Sequence, residues 1–189
     1  MPGPTSNSAF AVRFFLVSAG VFALSLLVGR LLIIALPPTL WPGVQFPPAF
    51  IASTVAVLCG SAFLSRALGF VRRERQVELR RQLLSALVSG GLFVAIQMSA
   101  LNWLVQRQPP GDMQTGAMAY VAVAAALHAL HFVVAMLFLI FVLLRAHADR
   151  YDHEYFWGVF VCAWFWHALS IIWIAVLIVM AIVSSGPVA

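Results

Sequence analysis

Three histidines, His128, His131 and His167, lie inside long apolar stretches of this 189-residue chain. An ionisable side chain inside a membrane is costly, so it marks either a functional site or a fixed contact between helices. Two histidines on different helices can ligate a haem iron, because imidazole is a common iron ligand. The other interpretation is that neutral imidazoles hydrogen-bond between helices. We favour the second, because three histidines without a carboxylate beside them make a poor zinc or non-haem iron site.

Both histidine-bearing stretches place small and polar residues on one helix face. The spacing i, i+4, i+7, i+11 joins Ala124, His128, His131 and Ala135 in one stretch and Ala163, His167, Ser170 and Ile174 in the next. Such faces are typical of helix–helix contacts in lipid, although the bulk of Ile174 limits close approach at its end. We expect both faces to look inward and to meet, directly or through a third helix. With Gln97 of the preceding stretch, the predicted polar seam comprises His128, His131, His167, Ser170 and Gln97.

The composition predicts a membrane protein. The chain is 63% hydrophobic and 9% charged, and its mean hydropathy is +0.99. Five long apolar runs are visible, and they span residues 10–36, 47–70, 82–104, 118–144 and 156–183. Each exceeds the roughly 20 residues that a helix needs to cross about 30 Å of hydrocarbon. We therefore expect an all-α membrane protein, a single domain formed by a bundle of five transmembrane helices.

The distribution of arginine predicts the orientation. Segment 71–81 carries five arginines, and Arg145 and Arg150 follow the fourth run. Segments 37–48 and 106–117 carry no net charge. Because positive loops stay in the cytoplasm, the N-terminus is expected on the cytoplasmic side and the C-terminus on the opposite side of a membrane that the chain crosses several times. The net charge of +5 is thus a topology signal and does not indicate nucleic-acid binding.

A second group of residues is suited to the membrane surface. Arginine side chains near helix ends snorkel to the interface, and tryptophan prefers the same depth. These residues either anchor the helices or contact a lipid phosphate or a partner subunit. They are Arg30, Arg66, Trp41, Trp164 and Trp166. Cys59 and Cys162 lie singly in separate runs, and we expect them to be packing residues.

All six acidic residues lie in loops or at helix ends, so the chain alone is not expected to pump or transport ions. One loop combines acids with histidines and is a candidate for collecting protons at the cytoplasmic surface. Its residues are His147, Asp149, Asp152, His153 and Glu154. The alternative is a solvated loop whose charges neutralise one another.

Several motifs together resemble a known family. The last two runs carry His128-Ala129-Leu130-His131, an apolar stretch ending at Arg145, and Trp164-Phe165-Trp166-His167 followed by Trp173. Further matches are Trp41-Pro42, Ser53-Thr54, Gly91-Leu92-Phe93 with Gln97, and Gly158. This pattern resembles subunit III of the haem-copper terminal oxidases, in the short five-helix bacterial form. The likeness covers essentially the whole chain and is strongest from 124 to 173.

The departures from that family are systematic. Four positions where the family tends to have a membrane acid are occupied by Ala19, Ala100, Phe160 and Ser170. A glycine position of the family is occupied by Ala135. The helical pattern is therefore retained without the membrane carboxylates.

The resemblance implies a non-catalytic, lipid-binding structural subunit. It implies that subunit I is the main partner, with subunit II and further respiratory subunits nearby, and that structural phospholipid is bound. Haem and copper would belong to the partner subunits, and the complex would reduce O₂ to water with electrons from cytochrome c or a quinol. The main alternative is an accessory protein of a nitric oxide reductase system. A free bis-histidine cytochrome and a small transporter are two further rivals.

Overall fold

The computed structural model describes residues 48–107, 116–149, 151 and 156–184, together with Gly20, Ala23 and Leu27. These residues form four long helices, and no strand occurs among them. The helices are α1 (Ala49–Val71), α2 (Gln76–Arg107), α3 (Gly116–His147) and α4 (Trp157–Ser184). Each contains a stretch long and apolar enough to cross a membrane. The all-helical prediction is confirmed for this part of the chain, and the four helices are compatible with the predicted multi-pass membrane protein. The first predicted helix, over residues 10–36, lies outside the described residues apart from three isolated positions.

Helix α2 begins six residues earlier than the sequence predicts, at Gln76 instead of residue 82. The expected eleven-residue arginine-rich loop is therefore a short turn between Val71 and Gln76. Glu74 in this turn has a φ of 57°, and the Arg75 N–H donates to the Phe70 carbonyl at 3.1 Å. The prediction followed the apolar run alone. Glu and Arg are good helix formers, so the helix continues beyond the apolar part.

The four helices pack in the order α1, α2, α3, α4 around the bundle. Helix α1 contacts α2 and α4, and α3 contacts the same two helices. The shared core consists of large apolar and aromatic side chains, among them Leu64, Leu83, Phe93, Phe132, Leu139, Trp166 and Trp173. Apolar side chains also cover the outside, for example Ile51, Leu92, Leu137 and Ile171. Lipid tails are as apolar as these side chains, so helices gain no hydrophobic free energy by packing against one another in a membrane. Close packing and hydrogen bonds must therefore hold the helices together.

One end of the bundle is closed by polar contacts that the first turn of α2 makes with the end of α3 and the residues after it. The Arg80 Nε atom donates to the Ala146 carbonyl at 3.1 Å, and the Arg80 Nη2 atom pairs with Asp149 Oδ1 at 2.5 Å. The Gln76 amide donates to the Tyr151 carbonyl at 2.5 Å. A cation at a helix C-terminus is favourable because the final carbonyls carry partial negative charge. The two arginine-bearing segments therefore lie at the same end of the bundle.

Candidate functional site

Trp166 lies at the centre of the contact between α1 and α4. Its side chain is only 1% exposed, and its indole N–H donates to the Val57 carbonyl at 3.2 Å. A methyl group at Gly60 would lie 2.6 Å from the indole Cζ2 atom, and one at Gly90 would lie 2.6 Å from Cη2. Only glycine leaves room for the ring at these two positions. The indole is thus inserted between α1 and α2.

Trp173 makes the second indole contact with α1, about two helical turns beyond Trp166. Its N–H donates to the Thr54 Oγ1 atom at 3.1 Å. The Thr54 hydroxyl donates in turn to the Phe50 carbonyl at 2.7 Å. Because that hydroxyl has a single proton, its oxygen is left as the acceptor that the indole needs. The Trp173 ring also meets Phe50 edge-on, with centroids 5.8 Å apart.

His167 contacts the same face of α1 through two serine hydroxyls. Its Nδ1 atom is hydrogen-bonded to Ser61 Oγ, and its Nε2 atom lies 3.2 Å from Ser65 Oγ. Ser65 also donates to the Ser61 carbonyl at 3.1 Å. The imidazole is half-buried and Ser65 is exposed, so this cluster opens to the outside of the bundle. Together Thr54, Ser61 and Ser65 line the polar side of the α1–α4 contact.

His128 occupies a different environment inside the bundle. It is 2% exposed, and its ring stacks on Trp173 with centroids 5.2 Å apart and an angle of 26°. The edge of Phe93 from α2 approaches it, with centroids 6.1 Å apart. His131, one turn further along α3, is only partly buried. The His128 ring is therefore packed among aromatic side chains of α2 and α4.

The predicted polar seam is distributed over two contacts. His128 faces the aromatic side chains of α2 and α4, whereas the described hydrogen bonds of His167 reach α1. Ser170 is buried, but its hydroxyl donates to the Trp166 carbonyl of its own helix at 2.9 Å. Gln97 is half-buried, and its Oε1 atom has no donor among the described residues. The Trp173 ring, stacked on His128, connects α3 with the α1–α4 contact.

The residues expected at the membrane surface have different locations. Trp164 is 59% exposed and Arg66 is exposed. Trp166 was expected to contact lipid or a subunit, and this is wrong, because the neighbouring glycines admit its ring to the core. Arg30 and Trp41 lie outside the described residues.

Part of the proposed proton-collecting loop is described. His147 closes α3, and its Nδ1 atom donates to the Leu143 carbonyl at 3.0 Å. Asp149 has a φ of 50° and pairs with Arg80. Both side chains are exposed. Asp152, His153 and Glu154 lie outside the described residues.

The serines of α1 are the site residues that the sequence prediction missed. Ser61 and Ser65 are spaced i, i+4, and Ser61 directly follows Gly60. The signal was therefore a small and polar helix face like the two that were recognised. Ser89 of α2 was also missed, and it donates to the Ala56 carbonyl of α1 at 2.5 Å. All three belong to contacts made by α1, which carries no histidine.

Within the described residues, no three His, Cys, Asp or Glu side chains come together as a metal-binding group. A scan against models of protein families finds no family that matches the chain. A search of curated proteins also finds no match. The likeness to oxidase subunit III therefore remains a prediction that rests on the residues quoted above.

Proposed function

We propose that this chain is a subunit-III-like structural component of a haem-copper terminal oxidase. It is a bundle of five transmembrane helices in a bacterial inner membrane, with the N-terminus in the cytoplasm and the C-terminus in the periplasm. The four described helices and the arginine-bearing end of the bundle support this arrangement. The fifth helix is expected over residues 10–36.

One observation carries the proposal: the residues of the resemblance hold the helices together. Trp166, His167 and Trp173 each hydrogen-bond to α1, and His128 stacks on Trp173. Side chains used in this way position helices, which is the role expected of a non-catalytic subunit. A chain built for electron transfer would instead direct its histidines at a shared cofactor.

The partners follow from this role. Subunit I would be the main contact, with subunit II and further respiratory subunits beside it, and haem and copper would reside in those chains. Phospholipid would fill grooves on the apolar outer surface, with the exposed Arg66 and Trp164 as headgroup contacts. The complex would reduce O₂ to water with electrons from cytochrome c or a quinol and would translocate protons.

An accessory role in a nitric oxide reductase system is the second candidate. Two of the positions where the oxidase family tends to have acids are buried here, namely Ala100 at 2% exposure and Ser170 at 3%. Neither side chain has a carboxyl group that could bind and release a proton. The lack of a carboxyl group at these two positions favours a complex whose third subunit takes no part in proton transfer.

The proteins that co-purify with the chain test the proposal. A tagged full-length chain would be expressed in its native host, extracted in a mild detergent and analysed by mass spectrometry. We expect a haem-copper oxidase subunit I in stoichiometric amount. A nitric oxide reductase subunit in its place would support the second candidate, and the absence of any haem protein would contradict both.

A further inference from the structure

The hydrogen bonds around His167 favour one neutral tautomer of the imidazole. Ser65 has one hydroxyl proton, and it is donated to the Ser61 carbonyl at 3.1 Å. The Ser65 oxygen therefore accepts from His167 Nε2–H, 3.2 Å away. In this neutral tautomer the Nδ1 atom carries a lone pair, so it accepts the proton of the Ser61 hydroxyl. Ser61 is thus hydrogen-bonded to Nδ1 of His167, and Ser65 orients the imidazole through its Nε2 atom.

We propose that Ser61 is a nucleophile for activated acyl groups, with His167 as its general base and Ser65 as the residue that positions the imidazole. An activated nucleophile is generally recognised by three groups. Its hydroxyl is hydrogen-bonded to a general base, and a third group holds that base in orientation. This assignment goes beyond the role proposed for the chain in an oxidase, and it gives a second use to the His167–Ser61 hydrogen bond that also joins α4 to α1.

The location of the cluster indicates how a substrate reaches it. Ser65 is exposed and His167 is half-buried, so the cluster opens to the outside of the bundle between α1 and α4. Ser65 lies six residues before Val71, the end of α1, or about 9 Å along the helix axis. The polar turn that follows marks the membrane surface. Ser61 lies ten residues before Val71, or about 15 Å along the axis, so an acyl group must be carried on an apolar chain to reach it.

The helix around Ser61 limits the substrate class. The backbone N–H groups in the middle of α1 bond to carbonyls of the preceding turn, so they cannot stabilise a developing oxyanion. Esters with poor leaving groups and amides need that stabilisation. The substrate class is therefore a thioester or another activated ester of a membrane-soluble acyl chain.

Acylation of Ser61 requires only groups of the protein and of the substrate. Ser61 Oγ forms a bond to the acyl carbon while its proton moves to His167 Nδ1, and the bond to the thiolate leaving group breaks. The thiolate then takes the proton from Nδ1, which restores the neutral imidazole. The products are an acylated Ser61 and a free thiol, with no oxidant or reductant involved. Ser65 accepts from Nε2–H throughout.

Covalent labelling of the full-length chain in detergent tests the assignment. The probe is a long-chain alkyl fluorophosphonate, which traps an activated serine, and the modified peptide is identified by mass spectrometry. We expect modification at Ser61. The Ser61→Ala variant should lose the label, while Ser99→Ala should keep it, because the exposed Ser99 bonds only to Ala95 of its own helix in the described structure.

His167 and Ser65 have separate tests. The His167→Gln variant should label at least about 100-fold more slowly, the range for loss of a general base. Wild-type labelling should accelerate as the pH rises and the imidazole loses its second proton, and this pH dependence should be absent in His167→Gln. Ser65→Ala should slow labelling, and Ser65→Thr should restore it. A folded wild-type chain that stays unlabelled, or a label that maps to another residue, would overturn the proposal.

Discussion

His128 of α3 stacks on Trp173 of α4, with ring centroids 5.2 Å apart and ring planes at 26°. The same indole donates to Thr54 of α1 at 3.1 Å and meets Phe93 of α2 at 5.7 Å between centroids. One side chain thus contacts all three other described helices. In lipid, where packing and hydrogen bonds replace the hydrophobic drive between helices, such a residue has a large share in fixing the bundle.

The stacking predicts a large stability loss for His128→Ala. Truncation of a buried ring leaves a cavity, and such changes cost about 3–5 kcal/mol for large aromatic side chains and somewhat less for imidazole. His128→Phe keeps a ring against Trp173 and should retain most of the stability. His131→Ala, at a partly buried position, is the matched control and should cost less. Equilibrium unfolding in mixed detergent micelles measures all three, and equal losses for His128→Ala and His131→Ala would contradict the packing described.

Gly60 should not tolerate a methyl group. In Gly60→Ala the new Cβ would lie 2.6 Å from Trp166 Cζ2, and overpacking of this kind costs about 1–3 kcal/mol. Gly69→Ala lies on the same helix with nothing within 4 Å. It should be neutral or gain up to about 1 kcal/mol from helix propensity. Thermal unfolding in detergent separates the two variants. A Gly60→Ala chain as stable as Gly69→Ala would show that the indole is not seated on α1.

The Thr54–Trp173 hydrogen bond should appear as a coupling energy. In a double-mutant cycle with Thr54→Val and Trp173→Phe, we expect about 0.6 kcal/mol of coupling, the average for such bonds between transmembrane helices. Trp173→Phe combined with Asp149→Asn, a change at the polar end of the bundle, should be additive. Additive behaviour of the first pair would contradict a direct contact.

Arg80 should matter more than its ion-pair partner. Its Nε atom donates to the Ala146 carbonyl in the last turn of α3, so Arg80→Ala should cost about 1–2 kcal/mol. The Asp149 side chain is 67% exposed, and an ion pair at that exposure contributes less than about 1 kcal/mol. Asp149→Asn should therefore change the unfolding free energy by less than Arg80→Ala, and added salt should shrink the difference from wild type. The reverse order would show that the ion pair, and not the carbonyl contact, holds this end together.

Hydrophobicity alone located the four described helices, because a long apolar run in a membrane has few alternatives to a helix. The boundary at Gln76 was missed, since a helix continues into water when its residues favour it and no proline stops it. Their shared helical face predicted that His128 and Ala135 point into the bundle, and both are buried in the structure.

The partners of the histidines were harder to predict. Spacing within one helix shows which residues share a face, but not which neighbouring helix that face meets. His167 is one residue from Trp166, and a step of about 100° around the axis separates their directions. One side chain therefore faces the core and the other faces the serines of α1. The role of Gly60 depends on the position of the Trp166 indole in three dimensions, which no local pattern contains.

Gas consumption by the purified complex tests the central claim most directly. Material isolated through a tag on this chain would be supplied with reduced cytochrome c or with a quinol, and the consumption of O₂ would be recorded. We expect O₂ consumption with one of the two donors, at a rate that scales with the haem content of the preparation. An intact, monodisperse preparation that consumes no O₂ with either donor would contradict it. Consumption of nitric oxide without O₂ consumption would identify the reductase system instead.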